Sequence, residues 1–203
     1  MSLTQAIERV READKALAAS NPVPFPIPAT GLEPLIAGAV TALGKGDWWV
    51  PGLRERVGAV LRDVPMERLV DGMAGARPYK VAPATPSPAL RALHAVGIAM
   101  ASERTTLVHL GIGSASDGAF HEALNTAAMH RPNIIFLVAV TPLGPDAPVV
   151  GQLATEPVQL GLTFGLEVSA VDGSDASAVH DAVAAAKAAG GPHLIQADLP
   201  RQQ

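Results

Sequence analysis

The stretch Thr106-Leu107-Val108-His109-Leu110-Gly111-Ile112-Gly113-Ser114-Ala115-Ser116-Asp117-Gly118-Ala119-Phe120 starts apolar, passes a glycine turn and enters a segment where Phe120, Leu124 and Ala128 recur at helical spacing. A short apolar run closed by glycine reads as a buried strand, and the spacing after it reads as a helix with Ser116 as its N-cap. Strand, glycine turn and helix together bring backbone N–H groups and a helix N-terminus to an anion. Gly111, Gly113, Ser114 and Ala115 are therefore candidate phosphate-binding residues, the alternative being plain strand–helix packing. The dinucleotide fingerprint G-x-G-x-x-G is not met, because Ser116 takes its third glycine position and no acidic residue ends the next strand.

Outward from this stretch the βαβα pattern continues. Ile134–Val138, Leu166–Val171 and Leu194–Ala197 read as further strands, with helices near Glu156–Phe164 and after Ser174, which is expected to cap the helix carrying Val179, Val183 and Ala186. Gly190-Gly191 stops that helix, and a Pro- and Gly-rich loop spans Thr141–Gly151. Towards the N-terminus, helices are expected over Pro86–Met100, Met66–Gly72, Leu53–Arg62 and Leu32–Leu43, with Trp48 and Trp49 between them as packing residues. Apolar strands alternating with helices imply an α/β fold, a mainly parallel sheet with helices on both faces. Leu3, Ile7, Val10 and Leu17 make the first segment an amphipathic helix. The alternating prolines of Asn21–Pro28 form a stiff connector, so residues 1–20 are expected to be an arm packing on a partner, 21–30 the connector and 31–203 the domain.

Composition narrows the classes. With 48% hydrophobic and 17% charged residues the 203-residue chain is globular, and its 3% aromatic content favours small side chains packing helix on sheet. A net charge of -4 without a basic run argues against nucleic acid as a partner. Lacking cysteine, the chain has no disulfides, zinc thiolates or thiol catalysis. No signal-peptide core and no membrane-length apolar run stands in it, so a soluble cytoplasmic protein with no membrane partner is expected.

The run from Gly111 through Phe120-His121-Glu122-Ala123-Leu124-Asn125 closely resembles the alpha subunit of thiamine-diphosphate-dependent 2-oxo acid dehydrogenases. That family has Gly-Asp-Gly-Ala here, followed by a Phe-His-Glu-Ala-Leu-Asn helix. Asp47-Trp48-Trp49-Val50-Pro51 with Leu53-Arg54 is similar to its Asp-Trp-Val-x-Pro segment and Tyr-Arg pair. Val81 falls at the family's cofactor-contacting Val, Ala84-Thr85-Pro86 at the start of its next helix, and Val171-Asp172-Gly173 and Gly191–Ile195 at later landmarks. The resemblance covers roughly Gly31 to Asp198 and implies the thiamine-diphosphate-binding fold, with Arg54, Val81, Gly111, Gly113, Ser114 and Ala115 as cofactor-binding positions.

The departures bear on function. In the family an Asp and a downstream Asn ligate magnesium bridging the diphosphate; those places hold Ile112 and Val140-Thr141, and the acid before them is Ala139. Magnesium demands hard oxygen ligands, and Asp117 aligns outside the ligand set. Leu53 replaces the Tyr, and the loop with the family's catalytic His is expected to be missing beyond Gln203. The resulting expectation is a degenerate alpha-type subunit with an assembly or regulatory role, with no catalytic or metal residues and no cofactor. It would form a homo-oligomer or a hetero-complex with a beta-type dehydrogenase subunit. The alternatives are a thiamine-diphosphate-binding subunit, with magnesium, acting beside a beta-type partner that supplies the activating glutamate, and a repurposed small-molecule-binding domain.

The remaining polar residues have plainer readings. His94, His109, His121, His130, His180 and His193 show no metal spacing and read as structural or surface groups, His121 at a subunit contact. Ser114 lacks the G-x-S-x-G elbow of a serine hydrolase. Arg54, Glu55 and Arg56 read as a solvated helix start, with anion binding at Arg54 as the alternative.

Overall fold

The computed structural model describes residues 1–20, 27–70, 76–85, 87–141 and 153–200. The connector over 21–26, the end of the helix expected to reach Gly72, the helix start at Pro86 and the loop over 142–152 lie outside the described residues.

Three runs buried along nearly their whole length, β2 (Thr106–Gly111), β3 (Ile134–Val140) and β5 (His193–Asp198), form the middle of the sheet. Such strands need cover on both faces. With β1 (Trp48–Val50) and β4 (Glu167–Asp172) they make a five-stranded, fully parallel sheet in the order β1-β2-β3-β5-β4. The four expected strands thus stand where their apolar runs lie, shifted or lengthened by one or two residues.

Strand alternation divides the core. Leu107, Ile135, Leu137 and Ile195 face α2 (Glu33–Thr41), the 3-10 helix Glu55–Arg62 and α7 (Ala176–Ala189), and α3 (Met66–Val70) joins the same cluster through Leu69. Val108, Phe136, Val138 and Leu194 face α4 (Pro88–Ser102), α5 (Gly118–His130) and α6 (Pro157–Thr163). Small residues let the layers come close. A Cβ on Gly38 of α2 would meet the Ala176 carbonyl oxygen and sit 2.9 Å from the Val179 Cβ of α7.

Several local expectations are corrected. Trp48–Val50, for which only packing between helices was expected, is an edge strand, because its partner, Thr106–Val108, is distant in sequence and three residues cannot display a period. Asp117, not Ser116, caps α5: its carboxylate accepts from the Ala119 N–H at 2.8 Å, while residues 112–116 form an intervening 3-10 turn and Ser116 Oγ donates to the Gly113 carbonyl. Asp175, not Ser174, caps α7. Both shifts favour a carboxylate, an equal or better N-cap that also suits the helix dipole. The segment after Leu53 winds as a 3-10 helix and ends at left-handed Asp63 (φ 61°).

The first helix, α1 (Leu3–Ser20), buries Ala6, Val10, Ala13 and Leu17. Val10, Ala13 and Leu17 join the cluster formed by α2 and the 3-10 helix, so the Val10 and Leu17 part of the stripe expected to need a partner subunit is covered by its own chain, while Leu3 and Ile7 are half-buried. The Asp14 carboxylate of α1 accepts the Ala29 N–H at 3.1 Å, which ties the far side of the connector to the helix. No described helix is long and apolar enough to cross a membrane.

Candidate functional site

In a parallel sheet all strands point their C-terminal ends at one edge, where ligands of α/β folds gather. The segments after β1, β2 and β3 meet at that edge around a cleft of about 560 Å³, a volume suited to a small organic molecule. Leu53, Arg54 and Glu55 line it from the first segment, Gly111 to Ser114 from the second, Ala139 and Thr141 from the third. Ile27, Leu32, Thr85, Pro88 and Arg91 close the sides.

Of the candidate residues, Arg54, Gly111, Gly113 and Ser114 come together here. Val81 and Ala115 do not line the cleft: Val81 is buried against β1 through its bridge to Trp49, and Ala115 belongs to the core under α5. Gly111 and Gly113 have open space where a Cβ would stand and no positive φ, so nothing in the protein itself demands glycine at either position. Glycines unneeded by packing but bordering a cleft leave bare backbone that a ligand can approach closely.

The polar groups are held by local structure. The Arg54 guanidinium donates from Nε to the Pro28 carbonyl at 3.0 Å and from Nη2 to the Thr30 carbonyl at 3.1 Å, which ties residues 28–30 to the cleft-lining Arg54. The reading of a solvated helix start is corrected: Glu55 and Arg56 are buried, and Arg54 is half-buried at the cleft. Arg56 Nε lacks a hydrogen-bond partner, and burial lowers the Arg56 pKa against the pull of Asp14.

Sequence reasoning missed Arg91. It is the sole Lys, Arg, Asp or Glu in α4, which is the signal that could have exposed it, and it is 4% exposed. It donates from Nε to the His109 carbonyl at 3.2 Å and from Nη1 to the Thr85 carbonyl at 3.3 Å. Burial lowers its pKa while the Glu55 carboxylate opposes the shift, so a cation stands beside an anion at the cleft wall. His109 points away from the cleft into the α2 side of the core, with its ring edge-on to Trp49 at 5.8 Å. Burial, then the Arg91 charge, hold its pKa down to about 3, so it is neutral near pH 7. His121 donates from Nε2 to the Ala115 carbonyl at 2.8 Å, and its ring lies edge-on to Phe164.

The donor set decides what the cleft can hold. Backbone N–H groups of the glycine turn, the Ser114 hydroxyl and the Arg54 guanidinium suit an anion. Among the described residues they do not fit magnesium: Ile112 and Ala139 present hydrocarbon, the one lining carboxylate, Glu55, stands beside Arg91, and no group of His, Asp and Glu could hold a metal ion.

Residues 2–201 match the family model described as dehydrogenase E1 component. Over 189 residues the chain is 33% identical to 3-methyl-2-oxobutanoate dehydrogenase subunit alpha of Mycobacterium tuberculosis, an alignment covering 84% of this chain and 51% of that protein. It is 28% identical over 206 residues to 2-oxoisovalerate dehydrogenase subunit alpha of Bacillus subtilis, covering 87% of this chain and 62% of that one. The chain therefore spans between about half and three-fifths of the length of these relatives. Transketolase from Leishmania mexicana superposes with a TM-score of 0.74 over 97% of this chain and 36% of its own, at 19% identity, a likeness of fold.

Proposed function

We propose that this chain, which belongs to the dehydrogenase E1 component family, is an alpha-type subunit of a 2-oxo acid dehydrogenase that works with a beta-type partner and offers its cleft to thiamine diphosphate. The observation that carries this reading is the glycine turn of Gly111 and Gly113, bare toward a cleft at the C-terminal edge of the sheet, in a chain whose relatives are named as alpha subunits of such dehydrogenases. On this reading the expectation of a subunit without cofactor gives way to the alternative weighed beside it.

Within the cleft the chain's own groups would bind and orient. Gly111, Gly113 and Ser114 would receive the diphosphate and Arg54 would balance part of its charge. Apolar Leu32, Leu53 and Ile112 would exclude water from the rest of the ligand. The thiazolium of the bound cofactor supplies carbanion stabilisation. Among the described residues none replaces the metal ligands.

Ile112 and Ala139 favour a second reading, in which the subunit keeps its place in the assembly and has lost cofactor binding. Co-production with a beta-type dehydrogenase subunit, then native mass spectrometry and calorimetric titration with thiamine diphosphate, separates the two. A stoichiometric complex that binds the cofactor in the low-micromolar range with and without magnesium supports the proposal. A complex with no binding below the high-micromolar range establishes the second reading, and failure to form any complex removes both.

A further inference from the structure

The cleft wall holds a cation that the fold does not use up. Two nitrogens of the Arg91 guanidinium are committed to main chain, Nε to the His109 carbonyl of β2 and Nη1 to the Thr85 carbonyl. Nη2 has no hydrogen-bond partner among the described residues, and the side chain lines the cleft beside Arg54, Gly111, Gly113 and Ser114. A guanidinium this deeply buried is costly unless an anion meets it. Glu55 stands beside it, yet among the described residues the two form no ion pair.

The segment leaving β1 makes room for this charge. A Cβ on Gly52 would run into Glu55 Oε2 and stand 3.0 Å from Arg91 Nη2 and 3.1 Å from Nη1, so bare backbone is what admits both groups. Arg54 is held in the same manner, with Nε and Nη2 on the carbonyls of Pro28 and Thr30 and Nη1 left over. Both cations are fixed before a ligand arrives, which lowers the ordering cost of binding one. A terminal phosphate has its second pKa near about 6, so a diphosphate ester carries about two or more negative charges at neutral pH. Arg54 alone offsets one of them. A magnesium ion, which the donor set does not fit, would bring two positive charges, and Arg54 with Arg91 brings the same.

We propose that Arg91 is a diphosphate-binding residue of the cleft, and that its guanidinium and that of Arg54 together supply the charge compensation that a divalent metal would otherwise give. The inference rests on the reading of the cleft as a thiamine diphosphate site, and it makes binding there independent of metal. Arginine suits the task because its planar fork keeps its charge and directs several N–H donors at phosphate oxygens. Glu55 opposes the ligand, since its carboxylate adds charge of the same sign at the cleft wall.

The test is calorimetric titration of the full chain, alone and co-produced with a beta-type subunit, in the presence of a metal chelator. Inorganic pyrophosphate, thiamine diphosphate and unphosphorylated thiamine are the three probes. Both diphosphates are expected to bind without metal, and Arg91→Met should weaken both by about tenfold or more. Arg91→Lys should recover part of that loss, and Glu55→Gln should tighten both severalfold. The response to thiamine, which carries no phosphate, should be the same in every variant. An Arg91 that only ties α4 to β2 would give none of this phosphate dependence. Thermal melts of the unliganded variants show which are folded; if Arg91→Met is not, Glu55→Gln decides, because it leaves Arg91 in place. Wild-type affinity in Arg91→Met, unchanged affinity in Glu55→Gln, loss of binding in chelator, or no binding of either diphosphate overturns the proposal. Thiamine diphosphate bound equally well without Arg91 leaves the cofactor reading standing and removes this one. Pyrophosphate bound through Arg91, with no gain from the attached thiamine, does the reverse.

Discussion

His109 is the residue whose burial carries a measurable charge penalty. It is 1% exposed, its Nε2 lacks a hydrogen-bond partner, and burial followed by the Arg91 charge hold its pKa near about 3. In the unfolded chain an ordinary histidine titrates near about 6.5. Between these values the unfolded state binds the proton and the folded state does not. Stability from this group is therefore complete above about pH 6.5 and falls as pH drops towards about 3, by about 1.4 kcal/mol per pH unit. The variant His109→Leu is expected to flatten the decline in unfolding free energy between pH 6.5 and 5 by roughly that amount per unit. Urea denaturation of both proteins across this range reads the difference; equal slopes would mean that the ring is protonated in the fold. The sequence shows the same histidine inside an apolar strand, and a structural role was its expected reading. The guanidinium that helps hold it neutral comes from a helix before the strand and was invisible there.

At the scale of elements, two glycines in helices should respond in opposite directions to the same change. Gly38→Ala places a methyl group against the Ala176 backbone oxygen and 2.9 Å from the Val179 Cβ, so α2 and α7 must separate. Overpacking of this kind costs about 1–3 kcal/mol, and the melting temperature should fall by several degrees. Gly97→Ala on the outer side of α4 meets nothing within 4 Å and should stabilise by roughly 0.5–1 kcal/mol through helix propensity. Paired thermal melts test both; a stable Gly38→Ala protein would show that the layer spacing yields. The helices themselves were legible from their periodicity, but the closeness of α2 to α7 was not. A glycine inside a helical pattern looks alike in sequence whether it faces another backbone or open water.

For the whole molecule, α1 belongs to the core that it covers. Deleting residues 1–20 removes Val10, Ala13 and Leu17 from the cluster over α2 and the 3-10 helix, along with the buried Ala6. Burying a Val or Leu side chain contributes about 1.5–3 kcal/mol, so the truncated protein should lose several kcal/mol of stability rather than assembly alone. Chemical denaturation of the truncated form checks this, and a midpoint equal to that of the full chain would refute it. The metal question is decided at the same scale. Losing one anionic ligand costs about 3–5 kcal/mol by analogy with a broken buried ion pair, or about two to four decades in affinity. In calorimetric titrations with thiamine diphosphate, raising magnesium from trace to millimolar should therefore leave the dissociation constant of the complex unchanged within about twofold. A tenfold tightening would show that hard ligands reach the cleft from elsewhere.

The sequence by itself determined the parallel sheet, since unbroken apolar strands alternating with amphipathic helices have few other ways to cover both faces. It also determined that the glycine turn offers no side-chain carboxylate at position 112, because an isoleucine side chain has no oxygen wherever it is placed. Only the tertiary structure decided which candidates meet. Gathering Arg54, Gly111, Gly113 and Ser114 at one edge while leaving Val81 and Ala115 behind depends on strand order and register. The pairing of β1 with β2 was likewise beyond the sequence, because local patterning records periodicity along the chain and carries no information about which distant segments pair.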